Sequence, residues 1–184
     1  MGPLSESMKE EKLESQGDIR YPIEWTTLGE YLDWLTGRGV APNVASFVGA
    51  TSARLHVIGY DDREPTAGEL EEMKQLVRHA MEEGAVCLSS ALIYPPAAYA
   101  KTDELIALAK AAAEYDGLYI SHLRSEGGAF YEALDEFMTI LREAGIRGEI
   151  YHLKAAGVDN WHKMDEVIRR VEAAQAAGVP VTAD

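Results

Sequence analysis

His122 and His152 each close a short apolar run, in the settings Gly117-Leu-Tyr-Ile-Ser-His122-Leu-Arg-Ser-Glu126 and Gly148-Glu-Ile-Tyr-His152-Leu-Lys154. Neutral imidazole is a common zinc ligand, and catalytic zinc sites keep three protein ligands plus a water. Between the two runs lies one stretch of helical period, Ala129 to Ala144. Strand, helix, strand, with a histidine at the same end of both strands, sets two imidazoles side by side. In parallel α/β proteins that end, the carboxyl end, is where sites form. If both ligate, their nitrogens should approach within about 3–4 Å. The competing reading is a pair of satisfied core histidines, which leaves the matched settings unexplained.

Lys154 follows His152 by two residues, so on a continuous strand both side chains leave the same face. An ammonium beside a metal suits a substrate bearing a carboxylate; the plain alternative is a solvated lysine at a loop start. Tyr94 precedes Pro95 and Pro96 where the chain leaves another strand, placed to bond a ligand or to cover the mouth of the fold. Arg124 and Glu126 follow His122 closely, to orient it or to pair with each other. Cys87 lies in mid-strand, where a buried inert thiol is the commoner case. His79 and His162 read as surface residues, and His56, taken to lie near a strand end, stays undecided. No phosphate-binding loop or Gly-x-Ser-x-Gly elbow occurs.

The elements that must hold these residues alternate. Helical spacing covers Leu28 to Gly37, Glu69 to Glu83, Asp103 to Tyr115, Ala129 to Ala144 and Lys163 to Ala177. Short apolar runs predict strands at Asn43–Val48, Ala85–Ser89, Leu118–His122, Glu149–Leu153 and Val179–Ala183. Thr66 with Glu69 has capping-box spacing. Alternation of this kind implies an α/β fold with a parallel sheet and right-handed crossovers. Two architectures fit: a doubly wound five-stranded sheet, or part of an eight-stranded barrel. Residues 1–17 are polar and read as a disordered leader or a remnant extraneous to the domain, which occupies 18–184.

The net charge of −14, from 31 acidic and 17 basic residues, repels phosphate backbones and anionic lipid, so no nucleic-acid or membrane partner is expected. One cysteine excludes an internal disulfide and fits a reducing compartment, and no apolar run approaches the roughly 20 residues of a membrane span. A soluble, cytoplasmic protein is expected.

The runs Leu88-Ser-Ser-Ala-Leu-Ile-Tyr94-Pro-Pro, Tyr119-Ile-Ser-His122-Leu-Arg-Ser-Glu-Gly127, Glu149-Ile-Tyr-His152-Leu-Lys154-Ala-Ala-Gly and Val181-Thr-Ala-Asp184 resemble the N-acyl-D-amino-acid deacylases (D-aminoacylases) of the amidohydrolase superfamily. The resemblance runs from about Trp25 to the end. It implies a TIM-type (β/α)8 barrel, here about strands three to seven, and a zinc-dependent hydrolase of N-acyl-D-amino acids. It makes His122 and His152 the zinc ligands of the fifth and sixth barrel strands, and Lys154 and Tyr94 contacts of the substrate carboxylate. It gives Cys87 no metal role. The family's first-strand His-x-His, its cysteine ligand and its general-base Asp match nothing in this chain, so the catalytic base is expected outside it. Dihydroorotases and hydantoinases of the same superfamily are a second reading, but their bridging carboxylated lysine has no counterpart in Ala85–Ser90. A non-catalytic five-stranded binding module is a third.

A sheet of this kind leaves two strand edges free to recruit others, and two histidines are too few ligands for a catalytic zinc. Residues 1–184 alone are therefore expected to bind zinc weakly, to self-associate and to show no deacylase activity. Purification, zinc addition and an assay on N-acetyl-D-amino acids check this; an active monodisperse monomer would contradict it.

Overall fold

A computed structural model describes residues 2–184. Five strands, β1 (Ser46–Gly49), β2 (Ala85–Ala91), β3 (Leu118–His122), β4 (Arg147–Ile150) and β5 (Val181–Ala183), form one parallel sheet in the order of the sequence. Each neighbouring pair is parallel. A doubly wound sheet reverses its strand order at a switch point; this sheet does not. Sequential order is that of a (β/α) barrel wall, which decides between the two architectures left open by the sequence.

Helices α1 (Glu6–Glu14), α2 (Leu28–Arg38), α3 (Ala50–Val57), α4 (Ala67–Glu82), α5 (Thr102–Ala113), α6 (Phe130–Ala144) and α7 (Met164–Ala176) complete the chain. Capping residues fix two of the starts. Thr27 and Thr66 each accept from the backbone N–H three residues on, while Glu30 and Glu69 reach back to the cap backbone. Both satisfy donors that a helix start would otherwise leave unpaired. Helix α3 is not foreseen by the sequence pattern: its eight residues follow β1 directly and carry no side-chain cap. It puts His56 on a helix, away from any strand end.

Residues 2–17, expected to be a disordered leader or a remnant outside the domain, carry helix α1. Ser5 caps α1. Leu4 and Met8 bury against Trp25, with Tyr31, Trp34 and Leu55 packed around them. Three apolar residues in a polar stretch were too few to give a periodic signal.

The main core lies between the sheet and its helices. Helix α6 faces it with Phe130, Leu134, Phe137 and Leu141, and Phe137 stacks on Tyr119 of β3 at 5.6 Å between centroids. A side chain at Gly148 would run into Leu141 and Phe137 of α6, so glycine lets α6 approach β4 this closely. At the β1 end, buried Arg54 of α3 binds Glu104 of α5 at 2.6 Å and donates to the Asp61 and Arg63 carbonyls. Stranding either charge would be costly, so this pair fixes α3 and α5 beside the barrel mouth.

Because β4 leads straight to His152, its seating is the one to test. Gly148→Ala should destabilise the fold by about 1–3 kcal/mol through overpacking, read as a lowered urea midpoint at unchanged slope. An unchanged midpoint would mean that the α6–β4 contact yields freely.

Candidate metal centre

The two histidines meet at the carboxyl end of the sheet. His122 Nδ1 and His152 Nε2 are 2.9 Å apart, with the rings edge-on at 82°. That separation lies close to the spacing of two nitrogens sharing one zinc. Strand alternation alone would not achieve it. Ser121 pairs with Ile150 across β3 and β4, and Tyr151 N–H donates to the Ser121 carbonyl, so Tyr151 is level with His122. His152 is one residue further and would face the other way on a continued strand. β4 instead ends at Ile150, and His152 takes φ 44°, a left-handed conformation that turns its ring back toward His122. Asp184 holds the turn: its carboxylate accepts from the His152 N–H and its carbonyl from the Leu153 N–H, at 2.8 Å for the latter.

Lys154 also arrives by this turn, correcting the expectation that His152 and Lys154 share a strand. The lysine Nζ lies 2.7 Å from His152 Nδ1 and 2.7 Å from Glu126 Oε1. Glu126 is the residue that sequence reasoning underrated. The residue is 6 % exposed, and its carboxylate lies 3.2 Å from His152 Nδ1 and 3.6 Å from His122 Nε2. Its spacing of four from His122 was visible, but the loop that folds it back was not. Arg124 does not pair with it. The guanidinium binds Glu136 of α6 and the Ala98 and Ala100 carbonyls, tying the segment after β3 to the loop after β2.

Tyr94, on that loop, is 61 % exposed with its ring 5.8 Å from His122. Cys87 is fully buried, and burial pushes its thiol up to about 12. It stands apart from the cluster His122, Glu126 and His152, whose donor atoms all lie within 4.8 Å of one another. His79 lies 3.2 Å from Glu83 on the surface of α4, and exposed His162 sits in a 3-10 turn before α7. The histidine pair opens onto a cleft of about 410 Å³, lined also by Phe47, Ser89, Ile120 and Tyr151.

The donor set suits zinc: two imidazoles and a carboxylate within reach of one another. His122 Nε2 is buried without a hydrogen-bond partner, 3.6 Å from Glu126 Oε1. Among the described residues no helix is long and apolar enough to cross a membrane.

A barrel-ordered parallel sheet with paired histidines at its carboxyl end defines the architectural class, and comparison with known proteins narrows it. No family model matches the chain. It is 35 % identical over 147 residues to D-aminoacylase of Alcaligenes xylosoxydans xylosoxydans, covering 80 % of this chain and 30 % of that enzyme. With N-acyl-D-glutamate deacylase of the same organism the identity is 36 % over 142 residues, 77 % and 29 % of the two chains. The solved N-acyl-D-glutamate deacylase of Bordetella bronchiseptica, complexed with zinc and a phosphonate mimic of the tetrahedral intermediate, superimposes with TM-score 0.83 at 31 % identity, over 91 % of this chain and 35 % of that one. The chain thus spans about a third of the length of the relatives it matches. It belongs to the D-aminoacylase family of the amidohydrolase superfamily.

Burial, only partly opposed by Glu126, lowers the His122 pKa below its ordinary 6.5. An unfolded chain takes up this proton first as pH falls. The stability gained by keeping the ring neutral is therefore complete above about 6.5 and lost as pH drops through the lower folded value. An NMR titration of the metal-free protein should give His122 a midpoint below 6.5; a midpoint at or above it would contradict the burial argument.

Proposed function

We propose that this chain supplies two zinc ligands and part of the substrate pocket of an N-acyl-D-amino-acid deacylase. The observation carrying this is the 2.9 Å approach of His122 Nδ1 to His152 Nε2 at the mouth of a barrel-ordered sheet. Family membership supports the substrate class, since its relatives deacylate N-acyl-D-amino acids by name. Zinc on these nitrogens would polarise an amide carbonyl and acidify a water, the chemistry that amide hydrolysis needs. His122 and His152 hold the ion through the nitrogens that face the cleft. Lys154, whose side chain is half-exposed, lies one imidazole away and offers an ammonium to the substrate carboxylate, exchanging part of its contact with Glu126 for it. Tyr94 stands over His122 from the opposite loop and bonds or shields the same carboxylate. The proton-accepting carboxylate of the reaction is not assigned within this chain.

The same reading holds that the protein works in the cytoplasm, in keeping with a lone buried cysteine, and that copies associate through the edges of β1 and β5. Each of those strands pairs on one side only among the described residues.

Two substitutions test the assignment. His152→Ala should abolish zinc binding measured by chelator competition. In the active enzyme Lys154→Ala should raise KM for carboxylate-bearing substrates roughly ten- to a hundredfold, the worth of a charge-assisted contact of about 1.5–3 kcal/mol, and leave amide-capped analogues little changed. Equal losses on both substrate types would remove Lys154 from the carboxylate site.

A further inference from the structure

The histidine pair has two sides. On one side His122 Nδ1 and His152 Nε2 converge to hydrogen-bond distance, 2.9 Å, and both residues line the cleft. On the rear side His122 Nε2 and His152 Nδ1 both turn to one oxygen, Glu126 Oε1, at 3.6 and 3.2 Å. A metal could use either side in principle, but the Lys154 ammonium already fills the rear, 2.7 Å from both Glu126 Oε1 and His152 Nδ1. A second cation there would be repelled at short range in a poorly solvated place. The cleft side is left for the ion, and Glu126 stands behind both rings.

We propose that Glu126 is a positioning residue: one buried carboxylate that faces the buried, unpartnered Nε2 of His122 at 3.6 Å and the Nδ1 of His152 at 3.2 Å, takes both rear N–H groups when the metal is bound, and so directs the two remaining lone pairs at it. This rests on the reading of His122 and His152 as zinc ligands. A neutral imidazole carries one N–H, and the nitrogen holding it is set by the bond the other side makes. Outer carboxylates of this kind fix the tautomer and orientation of a ligating histidine and raise its basicity. Here one carboxylate serves two ligands from two strands, so it also sets the angle between them. In the metal-free chain His152 Nδ1 accepts from Lys154 at 2.7 Å; once that nitrogen is protonated, Lys154 is held by Glu126 alone, which leaves its remaining N–H groups for a substrate carboxylate. Glu126 thus tunes metal affinity and the reach of the lysine together.

The test is made on the metal-free protein. Long-range ¹H–¹⁵N spectra should show wild-type His122 as the Nε2–H tautomer, and Glu126→Ala should shift population toward Nδ1–H. Zinc affinity by chelator competition should fall about 10- to 100-fold in Glu126→Ala. Glu126→Gln, whose amide oxygen still accepts a ring N–H, should recover part of the loss. Wild-type affinity and tautomer in Glu126→Ala would overturn the proposal. So would a loss as complete as that of His122→Ala with no recovery in Glu126→Gln, which would make Glu126 a ligand itself. If His122→Ala and His152→Ala bind zinc as tightly as the wild type, the metal reading of the site fails instead.

Discussion

A carboxylate taken out of water must be answered by charge and hydrogen bonds, or it destabilises the fold. Glu126 is answered by nitrogen on every side: an ammonium and two imidazoles, from three points of the chain. Around this interaction the carboxyl end of the sheet is arranged. It draws the segment after β3 over the mouth, anchors the lysine that follows β4, and gives the two histidines a common rear wall. The neighbouring links are of the same type. Arg124 spans from this segment to Glu136 of α6 and to two carbonyls of the opposite loop. Lys163, ahead of α7, donates to the carbonyls of Gly127 and Gly128. Cations fastened to loop carbonyls and carboxylates hold the site's frame, while the apolar core lies on the helix side of the sheet.

The net charge of −14 gives this arrangement a context. Glu126 and Lys154 pair, so the carboxylate behind the histidines adds little to the chain's excess negative charge beside them. An anionic substrate approaching an acidic protein meets repulsion at long range, and a lysine at the mouth offers relief only within a Debye length of about 8–10 Å. On the proposed reading, recognition of a carboxylate here is a short-range matter, decided by direct contact rather than by steering.

Much of the frame was legible in the sequence because it follows from periodicity. Strand β3 falls on Leu118–His122 as read, and the Thr66 cap, the alternation of helices with strands and the adjacency of His122 to His152 follow from local patterns. Three features did not. Helix α3 is short and uncapped, and follows its strand without a break, so no pattern marked its start. Glu126 and Arg124 find their partners through a loop, and loop geometry leaves no period to read. The convergence at His152 was anticipated on a mistaken premise, a continuous strand to Leu153, whereas a left-handed residue brings the ring across. Residue chemistry suggested which side chains converge; only the backbone shows how they meet.

That left-handed residue restricts what evolution or a mutagenesis library can place at position 152. A β-branched or bulky side chain is poorly tolerated at φ 44°, and glycine, which the backbone would accept most readily, has no donor atom. The few side chains that visit this region at modest cost are Asn, Asp and His, all short and polar. On the proposed reading of His152 as a zinc ligand, backbone and ligand chemistry select from nearly the same small alphabet here. In a saturation library at position 152, folded and expressing clones should be rich in Gly and Asn, while metal-retaining clones should collapse onto His with Asp as the rare survivor. The gap between those two populations separates what this position does for the fold from what it does for the ion.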